Sequence, residues 1–106
     1  MLAATAVKTY QKKLAELDEP IREKNKFFSI GADPTRLKIL LLLKSNKELC
    51  VSDLANILSV SVSAISHQMS YLEQCGMLRR TKTGQTVCYE LAPGQHVRQL
   101  LAQLEL

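Results

Sequence analysis

Between Val51 and Leu91 the apolar period changes from helical to alternating, and that succession restricts the fold more than any other feature of the chain. Val51, Leu54, Ala55 and Leu58 fall on one stripe of a short helix. Ser59-Val60-Ser61 makes a tight break, and Ser61 is placed to cap a second helix. The stripe of that helix is Val62, Ile65, Met69 and Leu72, with Gly76 as its stop. From Met77 the period falls to that of a strand. "MLRRTK" and "QTVCYEL", joined at Thr83-Gly84, place Val87, Tyr89 and Leu91 on one face and read as a β-hairpin.

The flanking segments are helical. Ala3, Val7, Tyr10, Leu14, Leu17 and Ile21 recur at alternating steps of four and three, the seam of a helix that packs against another helix. The seam is too short for a long coiled coil and predicts a dimerisation helix over residues 1–20. Pro20, after Asp18 and Glu19, predicts a stop and restart with the proline in the first helical position. Asp33 as N-cap and Pro34 at N1 open a further helix. Its run Ile39 to Leu43 is apolar on nearly every side, so it is expected at the centre of the fold. After Pro93-Gly94, Val97, Leu100, Leu101 and Leu104 share one side of a last helix, expected over 95–106.

These elements predict one domain, mainly α with a small β-hairpin: a winged helix-turn-helix with the helix-turn-helix over 52–75 and the wing over 77–91. A single domain of 106 residues has a small core, which favours pooling apolar surface in a homodimer. The longest apolar run is far too short to span a bilayer, and the N-terminus lacks the charged-then-apolar pattern of a secretory leader. The expectation is a cytoplasmic protein with no membrane partner. Three widely spaced cysteines suggest no disulfide framework and suit a reducing compartment.

In a winged helix-turn-helix the second helix enters the DNA major groove and the hairpin reaches the backbone or minor groove. Opposite the apolar stripe of that helix lie Ser63, His67, Ser70 and Gln74, with Ser66 and Gln68 on the flanks. These short or amide-bearing groups suit base edges and phosphates, and no carboxylate interrupts them before Glu73. An ordinary solvated face would carry Glu and Lys. Arg79, Arg80 and Lys82 put positive charge on the wing, with Gln85 at its tip, and the net charge of +4 favours an anionic partner. A double-stranded DNA operator is the expected partner. An enzyme is disfavoured: Ser66 and His67, adjacent on a helix, diverge, and no phosphate loop or paired acid occurs. A winged helix used only for protein contacts remains the alternative.

At this point "GADPTRLKILLLL", "ELCVSDLANILSVSVSAISHQMSYLEQCGML" and "RRTKTGQTVCYEL" resemble, in one register over residues 25 to 92, the ArsR/SmtB family of bacterial transcriptional repressors. The resemblance implies a homodimeric repressor, joined by its first and last helices, that leaves a partly palindromic operator when an inducer binds. By position it assigns DNA contact to Ser63, Ser66, His67 and Gln68, and the wing tip to Gly84.

It also raises the question of a metal. In metal-responsive members the box here written "ELCVSDL" has a second cysteine or a glycine where this chain has Ser52. Cys50 and Asp53 match ligand positions, but Ser52 removes a thiolate, and residues 1 to 49 hold neither Cys nor His. The family's other site, across the last helices, finds only His96 and Glu105 here. Three readings of the cysteines stand open. Cys50 is a packed relic; or Cys50, Cys75 and Cys88 meet as a trithiolate or redox switch; or a reduced metal site uses Cys50 and Asp53. The inducer is accordingly open among a soft metal or metalloid (Zn, Cd, As), a thiol oxidant, and none.

Overall fold

The computed structural model describes residues 1–104, and Glu105 lies outside them. The elements in chain order are α1 (Ala4–Glu16), α2 (Asp18–Gly31), α3 (Pro34–Ser45), β1 (Leu49–Cys50), α4 (Val51–Leu58), α5 (Val62–Gln74), β2 (Leu78–Thr83), β3 (Thr86–Leu91) and α6 (Gln95–Leu104).

α3 lies at the centre, as its continuous apolar run requires. Asp33 caps it by accepting from the N–H groups of Thr35 (2.8 Å) and Arg36 (3.3 Å), and Pro34 occupies N1, where a missing N–H costs nothing. Ile39 and Leu40 of α3 are fully buried with Leu54 of α4 and Ile65, Met69 and Leu72 of α5. α4 ends at Ser59, whose left-handed backbone (φ 56°) turns the chain so that the Val60 N–H reaches back to the Ala55 carbonyl. Ser61 Oγ accepts from the Ala64 N–H and starts α5. Gly76, at φ 77°, ends that helix with the Met77 N–H bonded to the Leu72 carbonyl. Val62, placed in the buried stripe by its spacing, is 54% exposed: it opens α5 before the helix reaches the core.

β2 and β3 pair antiparallel from Leu78↔Leu91 to Thr83↔Thr86, leaving Gly84-Gln85 as a two-residue loop with Gly84 at φ 64°. The sequence does not announce β1. It adds to the other edge of β3, with Leu49 opposite Tyr89 and Cys50 opposite Cys88, so the sheet order is β1-β3-β2. Two residues are too few to carry a period.

The restart near Pro20 falls earlier than its spacing suggested. α2 begins at Asp18, and Pro20 sits inside the first turn, where backbone N–H groups have no helical acceptor in any case. α1 buries none of its residues, and Val7, Tyr10, Leu14, Leu17 and Ile21 of the seam are exposed. The molecule measures 61 × 28 × 27 Å, with a radius of gyration of 18.1 Å. A compact chain of this length would have about 13 Å. The N-terminal arm therefore stands away from the core with its apolar seam uncovered. No helix among the described residues is long and apolar enough to cross a membrane.

Candidate nucleic-acid interface

Burial of Ile65, Met69 and Leu72 turns the opposite side of α5 to solvent. Ser63, Ser66, His67, Ser70 and Gln74 are all exposed there. Ser66 and Ser70 line an open groove of about 510 Å³, whose other walls are Arg80, Gln85 and Val87 of the hairpin and Cys50 to Ser52 at the start of α4. Helix and wing thus form one concave surface.

The wing cations differ from one another. Arg79 bonds Glu90 across the hairpin through Nε (2.7 Å) and Nη2, and Arg80 Nε lies 3.9 Å from Glu73 on α5. Lys82 is exposed and has no ion pair among the described residues. Of Arg79, Arg80, Lys82 and Gln85, only the last two have no side-chain hydrogen bond or ion pair among the described residues.

Gln68 has other partners. Its Nε2 donates to Asp33 Oδ2 (3.1 Å) and its Oε1 accepts from Arg36 Nε (2.8 Å), which ties α5 to the capped start of α3. Arg36, only 17% exposed at its side chain, also donates to the Ser29 carbonyl oxygen (2.9 Å) and stacks over the Tyr71 ring at 3.8 Å. Tyr71 in turn shares a hydrogen bond with Ser29. One guanidinium thereby joins α2, α3 and α5. Sequence reading missed Arg36, because a lone arginine in a helix reads as a solvated charge.

Asp33 completes this brace. Burial acts to raise its pKa more than any other single cause. The Gln68 amide, the two backbone N–H groups and the Arg36 charge outweigh it together and hold the carboxyl below its ordinary value of 3.8. A lowered folded pKa stabilises the fold fully above the unfolded value and loses that contribution as pH falls through the folded one. The chain is expected to lose stability to urea as pH drops below the ordinary carboxylate value, and Asp33→Asn to lose less over the same interval. Equal losses in the two proteins would remove Asp33 from the acid response.

The cysteines depart from the expectation of no disulfide. Cys50 and Cys88 face each other across β1 and β3, with Cα atoms 3.8 Å apart, and are joined as a disulfide. The two-residue strand that sequence could not show is what sets them opposite. Cys75, at the end of α5, is a free thiol and does not join them. Asp53, the other candidate ligand, accepts from the Cys50 N–H (3.2 Å) as part of the cap of α4. Among the described residues, the donors that do converge are Glu48, Cys50 and Cys88, whose ligand atoms all lie within 4.8 Å of one another. His96 bonds the Gly76 carbonyl oxygen through Nε2 (2.9 Å), a structural contact between α6 and the end of α5.

Residues 33–80 match the family model described as bacterial regulatory protein, arsR family. The chain is 37% identical over 98 residues to the transcriptional repressor SmtB homolog of Synechocystis sp., covering 92% of this chain and 72% of that protein. It is 42% identical over 77 residues to the cadmium resistance transcriptional regulatory protein CadC of Listeria innocua, covering 73% of this chain and 63% of that protein. Among solved structures, the AntR antimony-specific transcriptional repressor superposes with a TM-score of 0.67 at 30% identity, over 86% of this chain and 75% of that one.

Proposed function

The chain belongs to the arsR family of bacterial regulatory proteins, and from that premise we propose that it is a sequence-specific DNA-binding repressor released from its operator by an inducer. The observation that carries this reading is the outward face of α5, where Ser63, Ser66, His67, Ser70 and Gln74 stand exposed beside the wing groove. Two copies joined through the uncovered seam of α1 and through α6 would present two α5 helices to successive major-groove faces, about 34 Å apart. The α5 side chains then meet base edges. Arg79, Arg80, Lys82 and Gln85 meet the sugar–phosphate backbone and set register without reading sequence. Gln68, held by Asp33 and Arg36, positions α5.

The inducer is proposed to act by favouring a dimer whose helix spacing no longer fits the duplex. Relatives named for cadmium resistance and for antimony specificity support a soft metal or metalloid as its class. The disulfide keeps thiol oxidation in view as a second input.

Fluorescence anisotropy of the reduced protein on its own promoter fragment, over a range of salt, tests the reading. Affinity should fall steeply as salt rises. Lys82→Ala should weaken all sequences alike and flatten the salt slope by about 1, the share of a single neutralised phosphate. His67→Ala should instead narrow the preference for operator over random DNA, about tenfold. Salt-insensitive binding that neither substitution changes would favour a protein-interaction module instead. Release by Cd(II), Zn(II) or As(III), against release by a mild thiol oxidant alone, separates the inducer classes.

A further inference from the structure

We propose that in the reduced chain Glu48, Cys50 and Cys88 form a binding site for a soft divalent cation of the zinc–cadmium class, which the Cys50–Cys88 disulfide closes. Its role in regulation rests on the DNA-binding reading above; the binding itself does not.

Three strands meet at one rung. Cys50 of β1 is registered with Cys88 of β3, and Cys88 with Thr81 of β2, so the three side chains share a face of the sheet. Glu48, just ahead of β1, reaches the same place. Thr81 Oγ1 donates to its Oε2 at 3.1 Å and lies 3.4 Å from the Cys88 carbonyl oxygen, which orients the carboxylate toward the sulfurs. The three donor atoms lie within 4.8 Å of one another. A tetrahedral ion with bonds of about 2.3 Å to sulfur sets its donors roughly 3.8 Å apart, so small side-chain adjustments suffice once the disulfide opens.

Two thiolates and one carboxylate oxygen suit a borderline-soft ion; magnesium and calcium require oxygen donors throughout. Three protein ligands leave a fourth position for water or a small thiol. Glu48 is exposed and Cys50 half-buried, which gives the ion a path in, while Cys88 anchors the site in the core. Cys88 thus supplies the second thiolate that Ser52 cannot. Because Cys50 caps α4 and Cys88 belongs to the wing, a bound ion links the first helix of the helix-turn-helix to the hairpin.

Opening the site takes two equivalents of a low-molecular-weight thiol. Their sulfurs give up two electrons and two protons and join as a disulfide, while the Cys50–Cys88 bond breaks to two thiols. Binding the cation then releases both thiol protons to solvent.

The test is titration of the full-length reduced protein with cadmium chloride without DNA, read by the ultraviolet thiolate-to-cadmium band. One ion per chain is expected, with the band lost in Cys50→Ser, in Cys88→Ser and in the oxidised wild type. Circular dichroism checks that the variants are folded. Glu48→Gln, at an exposed position, should weaken binding with the fold intact, and Thr81→Val should weaken it about tenfold. Asp53→Asn should keep the band. Unchanged binding in folded Cys88→Ser overturns the site, as does loss of binding in Asp53→Asn with Glu48→Gln unaffected. Anisotropy on the promoter fragment is run in parallel. Cadmium binding with no DNA binding under any condition would sink the repressor reading and leave the site standing.

Discussion

Replacing Leu72 by alanine is expected to lower the unfolding free energy by about 2–5 kcal/mol. Leu72 is fully buried in α5 among the other core residues of α3 and α4, so truncation strips away apolar packing and leaves a cavity that rigid helices close poorly. A domain of this kind has about 5–15 kcal/mol in total, so the loss is a large share. His67→Ala, on the opposite side of the same helix, should move stability by no more than about 0.5 kcal/mol. Urea unfolding compares the two, a shift of midpoint at constant slope reporting stability alone. If His67→Ala shifted the midpoint as far as Leu72→Ala, α5 would not have the two faces described, and its outward face would lose its claim to DNA.

The second large effect belongs to Arg36. Its alanine variant should cost about 3 kcal/mol: a charge-assisted hydrogen bond contributes roughly 1.5–3 kcal/mol and stacking on an aromatic ring about 0.5–1 more. The substitution also leaves the Gln68 Oε1 atom and the Ser29 carbonyl without their donor. Arg36→Lys should recover little, because an ammonium cannot present the planar fork that meets Gln68 and Ser29 while lying flat on Tyr71. A double-mutant cycle with Gln68→Ala measures the link directly. Coupling of about 0.5–3 kcal/mol is expected, and strict additivity would mean that the two side chains act independently. Loss of the brace should also reduce operator affinity in protein that remains folded, because it loosens the seat of α5 on α3.

The order of helices, the break before Ser61, the cap at Asp33 and the hairpin were all legible, because each is written within a few residues of chain. So was the exposed polar face of α5, since burial of Ile65, Met69 and Leu72 leaves its other side no other place. The same arithmetic put Val62 in the buried stripe and Pro20 at a helix start. Periodicity says which side of a helix is apolar, but not how far along its axis the neighbouring element extends. Gln68 shows the limit most clearly: spacing sets it on the flank of the recognition face, and only packing against α3 gives it Asp33 and Arg36 as partners.

Read alone, the sequence determined the class of fold, the family it resembles, and that its box lacks a thiolate where Ser52 stands. Those properties depend on local spacing, and local spacing survives in a one-dimensional string. Tertiary structure decided that Cys88 lies across from Cys50, that Cys75 stays apart, and that Glu48 and not Asp53 turns toward the sulfurs. The physical reason is register. The two cysteines are 38 residues apart in the chain, and their meeting depends on two residues of strand pairing at the edge of β3, which no period announces.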